Sequence, residues 1–257
     1  MLGAAAEMVT SRRASADVSK HDAELAWWER ELAYYVEWYE GERPLYGVSP
    51  PEPHERRVGR SVEASACLTF LDKTSNRYPD SLKISPRHFA GRKILDLGCG
   101  PLPYSSIFED CVVIGLDPLV KKYAEAGFPL GDYSGTFTFV AGVAEDMPFP
   151  ARSFDGLVSV NALDHVDDFA RTASEIRRVL KEDAIVRIKV DYHAPKPLEP
   201  VAVSDDLVMA HLGDLGIEKV RDHGIPRSAY RDPEAARETD DRERGVVWAN
   251  EITRASG

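Results

Sequence analysis

The sequence is poor in cysteine, and it lacks both a long apolar run and a surplus of positive charge. Three cysteines in 257 residues, none of them in a C-x-x-C pair, are too few and too scattered for a disulfide framework. No apolar stretch approaches the roughly 20 residues that cross a bilayer, and no basic and apolar leader segment opens the chain. These absences predict a cytoplasmic protein that does not enter a membrane.

The charge balance of the chain argues against a nucleic-acid partner. The formal net charge is −11, from 43 acidic and 32 basic residues. A negative surplus repels phosphate backbones, and the sequence has no run of Lys and Arg that would offset it. Hydrophobic residues make up 43% of the chain and charged residues 29%, which is ordinary for a globular protein. We therefore expect a globular protein without a nucleic-acid partner.

The first ninety residues have a helical pattern. Residues 1–20 are small and polar and predict a disordered tail. From Asp22 to Tyr39, aromatic and apolar residues recur every three or four positions, as one face of a helix requires. A second helix is predicted from Val62 to about Asn76. We assign residues 21–90 to an N-terminal helical cap, whose rings either anchor it to the core or hold a substrate.

From Lys93 onward, β-branched runs alternate with helical segments. The strand-like runs are KILDLG, CVVIGLD, TFTFVAG, FDGLVSVN and AIVRIKVD, with two later strands near Glu218 and in GVVWANEIT. Alternation of this kind predicts parallel strands with crossover helices on both faces of the sheet. We expect an α/β fold over residues 91–257, with a doubly wound, mostly parallel, seven-stranded sheet. Ligands of such folds bind beyond the carboxyl ends of the strands.

The stretch ILDLGCGPLP is typical of a turn that binds a cofactor. Gly98 and Gly100 follow a strand, and glycine lets the backbone turn sharply while a ligand lies directly against it. A nicotinamide or flavin fingerprint requires a third glycine, but this chain has Pro103. Asp96 also suits a cationic amino group better than a pyrophosphate. The turn therefore favours an amino-acid-like cofactor, with a nicotinamide-dependent oxidoreductase as a weaker alternative.

Asp117 ends the second strand, at about the 20-residue spacing from the glycine turn at which a carboxylate binds ribose hydroxyls. An aspartate after a strand also serves as a turn or capping residue, and Pro118 fits that use. The spacing relative to Gly98 and Gly100 favours the ribose-binding interpretation.

Five segments in order, ILDLGCGP, IGLDP, FVAGVAEDMPF, SFDGLVSVNALDHVDD and EIRRVLKEDAIVRIKV, resemble the successive motifs of class I S-adenosylmethionine-dependent methyltransferases. The similarity runs from about Lys93 to Val190. It implies a Rossmann-like enzyme that uses S-adenosyl-L-methionine to methylate a small-molecule acceptor. The expected target is a hydroxyl, or less favourably an amine, of a metabolite or saccharide.

The resemblance also implies a cofactor site at the carboxyl ends of the first four strands. Its residues are Asp96, Gly98, Cys99 and Gly100 around the methionine portion, Asp117 at the ribose, Ala144 and Glu145 at the adenine, and Asn161 facing the methionine end. In many relatives an aspartate immediately precedes the position of Ala144, where this chain has Val143. That departure leaves adenine recognition to the backbone, or to Glu145 or Asp146.

His165 and His193 follow the fourth and fifth strands and are the candidate catalytic bases. Histidine titrates near neutral pH and can take the proton that a hydroxyl acceptor loses. Each histidine could instead be a packed structural residue. Several aspartates lie nearby, but helix capping explains them more simply than a metal, so we expect no metal site. Val143 and the lack of one unambiguous base also keep open a non-catalytic, cofactor-binding regulatory protein.

Overall fold

A seven-stranded sheet organises the computed structural model, which describes residues 3–57, 59–133, 135–225 and 243–250. The strand order is β3-β2-β1-β4-β5-β7-β6. The strands are β1 Lys93–Leu97, β2 Val112–Asp117, β3 Phe137–Ala141, β4 Phe154–Val160, β5 Leu180–Tyr192, β6 Glu218–Ile225 and β7 Glu243–Ala249. The predicted α/β class and number of strands are confirmed.

The first five strands are parallel, and β7 runs antiparallel to both of its neighbours. Strand β1 pairs with β2 on one side and with β4 on the other, and β7 lies antiparallel between β5 and β6. The chain winds outward in one direction through β2 and β3, then in the other through β4 and β5. The order therefore reverses between β1 and β4, where the carboxyl ends of the strands open a crevice for ligands.

Six α-helices lie among the described residues: α1 Gly3–Glu40, α2 Val62–Lys73, α3 Arg77–Leu82, α4 Val120–Glu125, α5 Phe169–Val179 and α6 Asp205–Leu212. Helix α1 differs from the sequence prediction, because it begins at Gly3 where a disordered tail over 1–20 was expected. The run GAAAE at its start is rich in alanine, the strongest helix former. In the described part of the chain, no helix combines the length and hydropathy needed to cross a membrane.

Apolar side chains pack in three clusters around this framework. Leu95, Leu157 and Val186 join the sheet to α5 and α6 on one face. Ile94 and Phe89 belong to the cluster on the other face. A third cluster joins α1 and α2 to the segment around α4; its buried members include Leu32, Trp38, Phe70 and Tyr123. The aromatic stripe of α1 therefore anchors that helix to the domain, as one of the two sequence interpretations holds.

Candidate cofactor and acceptor site

The glycine turn follows β1 directly and lies beside the end of β2. Gly98 and Gly100 have positive φ angles of 71° and 60°, a region in which side chains are disfavoured. The Gly98 N–H donates to the Leu116 carbonyl at 2.9 Å, which holds the turn against the second strand. A Cβ atom at position 98 would lie 2.2 Å from the Cβ of Ala162. Glycine is therefore required here by both the backbone angle and the close approach of the β4 loop.

Trp28 of helix α1 covers the second glycine of the turn. A Cβ atom on Gly100 would lie 3.1 Å from the Trp28 ring. The ring also makes edge-to-face contacts with Tyr123 and Phe128, with centroids 6.1 Å and 6.2 Å apart. The space that the sequence analysis assigns to a ligand at Gly100 is thus lined by an aromatic side chain in this conformation. The spacing of aromatic residues along α1 predicts a buried stripe, but it does not predict which of the rings contacts the glycine turn.

Asp96 is a buried carboxyl group with an unused oxygen. Its residue exposure is 0%, and its Oδ2 accepts a short hydrogen bond from the Ser105 hydroxyl. Its Oδ1 is also buried and has no hydrogen-bond partner among the residues that the structure describes. The pKa of Asp96 is raised to about 7, chiefly by burial; the Ser105 hydrogen bond acts in the opposite direction, and the nearby Asp117 adds to the rise. A ligand with a cationic N–H group would satisfy this oxygen.

Asp117 faces the glycine turn from the end of β2. Its Oδ2 accepts a hydrogen bond from the Gly100 N–H at 3.0 Å, and its Oδ1 accepts one from the Leu119 N–H at 2.9 Å. Burial raises its pKa to about 7, although both backbone bonds act in the opposite direction. Each carboxylate oxygen has a second lone pair. The structure thus brings Asp117 to the predicted place, and its bond to a ribose stays a prediction.

Cys99, between the two glycines, turns its side chain into the core. The residue is 4% exposed and packs in the same cluster as Phe108 and Val113. A Cβ atom at Gly115 would lie 2.7 Å from the Cys99 Sγ, so a glycine opposite makes room for the sulfur. Burial raises the pKa of the thiol well above its usual value. Because its side chain is buried, Cys99 can contact a ligand only through its backbone.

Glu145 binds the beginning of helix α5. Its carboxylate accepts hydrogen bonds from the Asp167 and Asp168 N–H groups at 2.7 Å and 3.2 Å, and its carbonyl accepts one from the Arg171 Nε at 2.8 Å. A carboxylate is favoured at a helix N-terminus, so these contacts give Glu145 a structural role. Neighbouring Ala144 is half-buried against the core. Adenine binding by Ala144 and Glu145 stays a prediction.

Asn161, at the end of β4, belongs to a polar network that the sequence analysis missed. Its φ angle is 51°. Its Nδ2 donates to Asp191 Oδ2 at 3.0 Å, and its Oδ1 accepts from Lys189 Nζ at 3.2 Å. Lys189 also lies 3.2 Å from Asp191 Oδ1, with 7% of its side chain exposed. The sequence signal for this network is the placement of a lysine and an aspartate at alternate positions of β5. A contact of Asn161 with the cofactor stays a prediction.

His193 has acceptors at both ring nitrogens. Its Nε2 lies 3.1 Å from Asp164 Oδ2 and 3.2 Å from Glu199 Oε2, and its Nδ1 lies 2.7 Å from the Ala194 carbonyl. The Asp164 hydrogen bond is the main cause that raises the pKa of His193. With a proton on each nitrogen, this ring cannot accept another. A base role for His193 stays a prediction and requires prior loss of one proton.

His165 lies beside the same group of side chains. Its Nδ1 is buried and has no hydrogen-bond partner within the described part of the chain. Its carbonyl accepts a hydrogen bond from Lys20 Nζ of α1 at 2.9 Å, so helix α1 also reaches this end of the site. One donor atom each from Asp164, His165 and Glu199 lie within 4.8 Å of one another. The structure therefore brings both predicted histidines together and adds Glu199, which no sequence motif marks.

Comparison with known proteins finds similarity to methyltransferases. Residues 95–188 match a family described as a methyltransferase domain. An uncharacterized methyltransferase of Bacillus subtilis, YcgJ, is 33% identical over 132 residues, or 49% of each protein. The demethylmenaquinone methyltransferase of Symbiobacterium thermophilum is 36% identical over 153 residues, which are 52% of this chain and 60% of that protein. A crystal structure of an S-adenosylmethionine-dependent methyltransferase from Mesorhizobium loti shares the fold, with a TM-score of 0.53 at 21% identity over 70% of this chain and 99% of that one.

Residues 95–188 match a methyltransferase domain and have the fold of the class I methyltransferases. The resemblance found in the sequence is confirmed, and the cofactor that this domain implies is S-adenosylmethionine. The matches span about half to three-fifths of the curated relatives, at 49% and 60% of their lengths. The matched residues lie inside the predicted range 91–257, whose bounds stay a prediction.

Proposed function

We propose that the protein transfers a methyl group from S-adenosylmethionine to a hydroxyl of a small metabolite or saccharide, or less favourably to an amine. The observation that carries the cofactor part is the unused, buried oxygen of Asp96 beside the glycine turn. An unsatisfied buried acceptor is costly, and the ammonium group of a methionine moiety is a donor of the required charge. Gly98 and Gly100 would lie against that moiety, and Asp117 would accept from the ribose.

The proposed chemistry divides between alignment and proton removal. S-adenosylmethionine, when bound, supplies a methyl group on a positively charged sulfur, and that carbon–sulfur bond breaks as the acceptor oxygen bonds to the carbon. The protein's main task is to align the acceptor with the methyl group in line. His165 is the better-placed base for the hydroxyl proton, because its Nδ1 has no hydrogen-bond partner among the described residues, whereas both nitrogens of His193 face acceptors.

Cofactor binding at the glycine turn also requires a response from helix α1. The Trp28 ring fills the side of Gly100 against which the methionine portion is expected to lie. The ring packs on Tyr123 and Phe128, which line its present position. We expect the ring to leave Gly100 when the cofactor enters, while the rest of the aromatic stripe stays packed in the core.

Two measurements test the proposal in sequence. Labelled S-adenosylmethionine should bind saturably to the full chain and be displaced by S-adenosylhomocysteine. Incubation of protein and cofactor with metabolite extracts should then give products heavier by one methylene unit. An absence of saturable binding would overturn the cofactor assignment. Binding without any methylated product over a broad acceptor panel would favour the non-catalytic regulatory protein.

The nicotinamide alternative has lost support at the glycine turn. The segment after Gly100 contains a short 3-10 helix at Tyr104–Ile107, preceded by Pro103. A dinucleotide site of this type places the pyrophosphate at the N-terminus of a full α-helix. A fluorescence titration with NADH, which should show no saturable signal, checks this point.

A further inference from the structure

Three side chains at the carboxyl ends of β4 and β5 converge, and two of them also contact His193 Nε2. Asp164 and His165 lie in the loop after β4, and Glu199 lies in the loop after β5. One carboxylate oxygen of each acid and one ring nitrogen of the histidine lie within 4.8 Å of one another. Asp164 is 2% exposed and Glu199 has 26% of its side chain exposed. The group is therefore largely enclosed, with access from the Glu199 side.

Unused donor atoms distinguish this cluster from an ordinary group of paired charges. Asp164 Oδ2 contacts His193 Nε2 at 3.1 Å, but its Oδ1 is buried and has no hydrogen-bond partner in the described ranges. His165 Nδ1 is buried and unpartnered in the same sense. Two electron-pair donors of neighbouring residues are thus left over inside the protein. Such atoms are normally satisfied by protein, water or an ion.

Backbone contacts hold the three ligands near their present places. The Val201 N–H donates to the Asp164 carbonyl at 3.2 Å, which ties the β5 loop to the β4 loop. Within the β5 loop, Lys196 and Glu199 exchange two backbone hydrogen bonds, at 2.9 Å and 3.1 Å. The His165 N–H donates to the Ala162 carbonyl at 3.1 Å. The cluster is therefore positioned by its loops, independently of any ion.

We propose, against the expectation from the sequence, that Asp164, His165 and Glu199 form a binding site for a divalent transition-metal ion. Imidazole favours Zn²⁺, Fe²⁺ and their neighbours, and carboxylates extend the choice to Mn²⁺. Bonds of about 2.1 Å place tetrahedral ligands about 3.4 Å apart. Donor atoms no more than 4.8 Å apart reach that spacing through small side-chain rotations. At Glu199 the ion would replace the ammonium of Lys196 and the Nε2 of His193, now 2.7 Å and 3.2 Å from Oε2.

The site has a consequence for the acceptor end of the crevice. An ion there would leave coordination positions for ligands from outside the protein, and acceptor oxygens are suitable ligands for it. While the ion is bound, His165 Nδ1 is a ligand and cannot take a proton, so its two proposed roles exclude each other. The metal site does not depend on methyl transfer, because ion binding is measurable without cofactor.

Cobalt is a suitable probe, because its visible absorption reports ligand type and coordination number. The untagged full chain is titrated with Co²⁺ and, separately, dialysed against Zn²⁺ for metal analysis. The wild type should bind one ion per chain with a defined visible spectrum. The variants His165→Gln and Glu199→Gln should each bind at least tenfold more weakly. Lys196→Met should bind more tightly, because it removes the competing ammonium.

Matched controls separate this result from loose surface binding. His54→Gln and Glu182→Gln change an exposed histidine and an exposed glutamate outside the cluster, and both should behave as the wild type. Equal binding by all variants, or no stoichiometric binding by a wild type that still binds S-adenosylmethionine, would overturn the metal site and leave the methyltransferase proposal intact. Circular dichroism of each variant confirms that the fold is retained.

Discussion

Replacing Asp96 by asparagine should reduce the pH dependence of the protein's stability. Asp96 has a pKa of about 7 in the fold, against 3.8 for an ordinary aspartate, chiefly because it is buried. Between those values the folded state binds more protons than the unfolded state, so the free energy of unfolding falls as pH rises. This stabilising contribution is largest below pH 3.8 and is lost by the time the pH has passed through about 7.

The size of the effect follows from the shift. One pKa unit corresponds to about 1.36 kcal/mol, so a shift of about three units corresponds to roughly 4 kcal/mol. About 2 kcal/mol of this falls between about pH 5.5 and pH 8. Asp117, whose pKa is also about 7, acts in the same direction. Because the two carboxyls interact, they titrate as a pair. We therefore expect the free energy of unfolding of the wild type to fall by about 2–4 kcal/mol over this pH range. Asp96→Asn should remove roughly half of it.

Urea unfolding of the ligand-free protein across this pH range measures the effect directly. The amide oxygen introduced by Asp96→Asn can still accept from the Ser105 hydroxyl, so the variant keeps that contact. Asp155→Asn is a suitable control, since the hydrogen bond from Lys181 lowers the pKa of Asp155. Its carboxylate is therefore fully ionised throughout the range, and its removal should lower stability by a constant amount.

The comparison between variant and wild type decides the outcome. The raised pKa of His193 contributes stability at low pH that is lost as pH rises, so some slope should remain in the variant. If Asp96→Asn has the same slope as the wild type, Asp96 is ionised at every pH tested. It would then already have a cationic partner or solvent access, and the argument for its unused oxygen as the cofactor's anchor would fail.

Three further predictions concern cofactor binding and are measured by calorimetry with S-adenosylhomocysteine. Affinity of the wild type should rise about tenfold between pH 6 and pH 8, because binding an ammonium ionises Asp96. Asp96→Asn should show a smaller rise, due to Asp117 alone, and a rise equal to that of the wild type would contradict the pairing. Asp117→Ala should weaken binding by about 1–3 kcal/mol through lost ribose hydrogen bonds, and an unchanged affinity would remove Asp117 from the site. Trp28→Ala should bind S-adenosylhomocysteine more tightly than the wild type, because no ring then has to leave Gly100. Weaker binding would mean that the Trp28 ring contacts the ligand.

The sheet and its glycine turn were predictable because their signals are local. Each core strand is a short β-branched run, and the alternation with helical segments fixes the parallel topology. The sharp turn at Gly98 and Gly100 requires residues without a side chain, and the positive φ angles of both confirm that requirement. Asp117 was placed correctly beside this turn, since the end of a strand defines where its last side chain lies.

The contacts made by loops and by the cap were not predictable in the same way. The segment after the glycine turn is a short 3-10 helix at Tyr104–Ile107, because the prolines before it restrict the backbone. Glu199 meets Asp164 only because one irregular loop folds onto another. Glu145 was assigned to the adenine, whereas its carboxylate binds the start of α5. Such pairings depend on tertiary packing, for which a single sequence carries no periodic signal.

Helix α1 links the two ends of the crevice. Trp28 lies over Gly100. Lys20 lies about two turns earlier in the helix, roughly 12 Å away along its axis. Its ammonium donates to the His165 carbonyl and forms an ion pair with Asp167. Asp167 is 57% exposed, and an ion pair of that kind contributes at most about 1 kcal/mol. The packing of Leu25 and Trp28 against the cluster of α1, α2 and α4 therefore contributes more to holding this part of the helix in place. Displacement of that ring by a cofactor would loosen the Lys20 contact as well, so cofactor entry and access to the His165 end should be coupled.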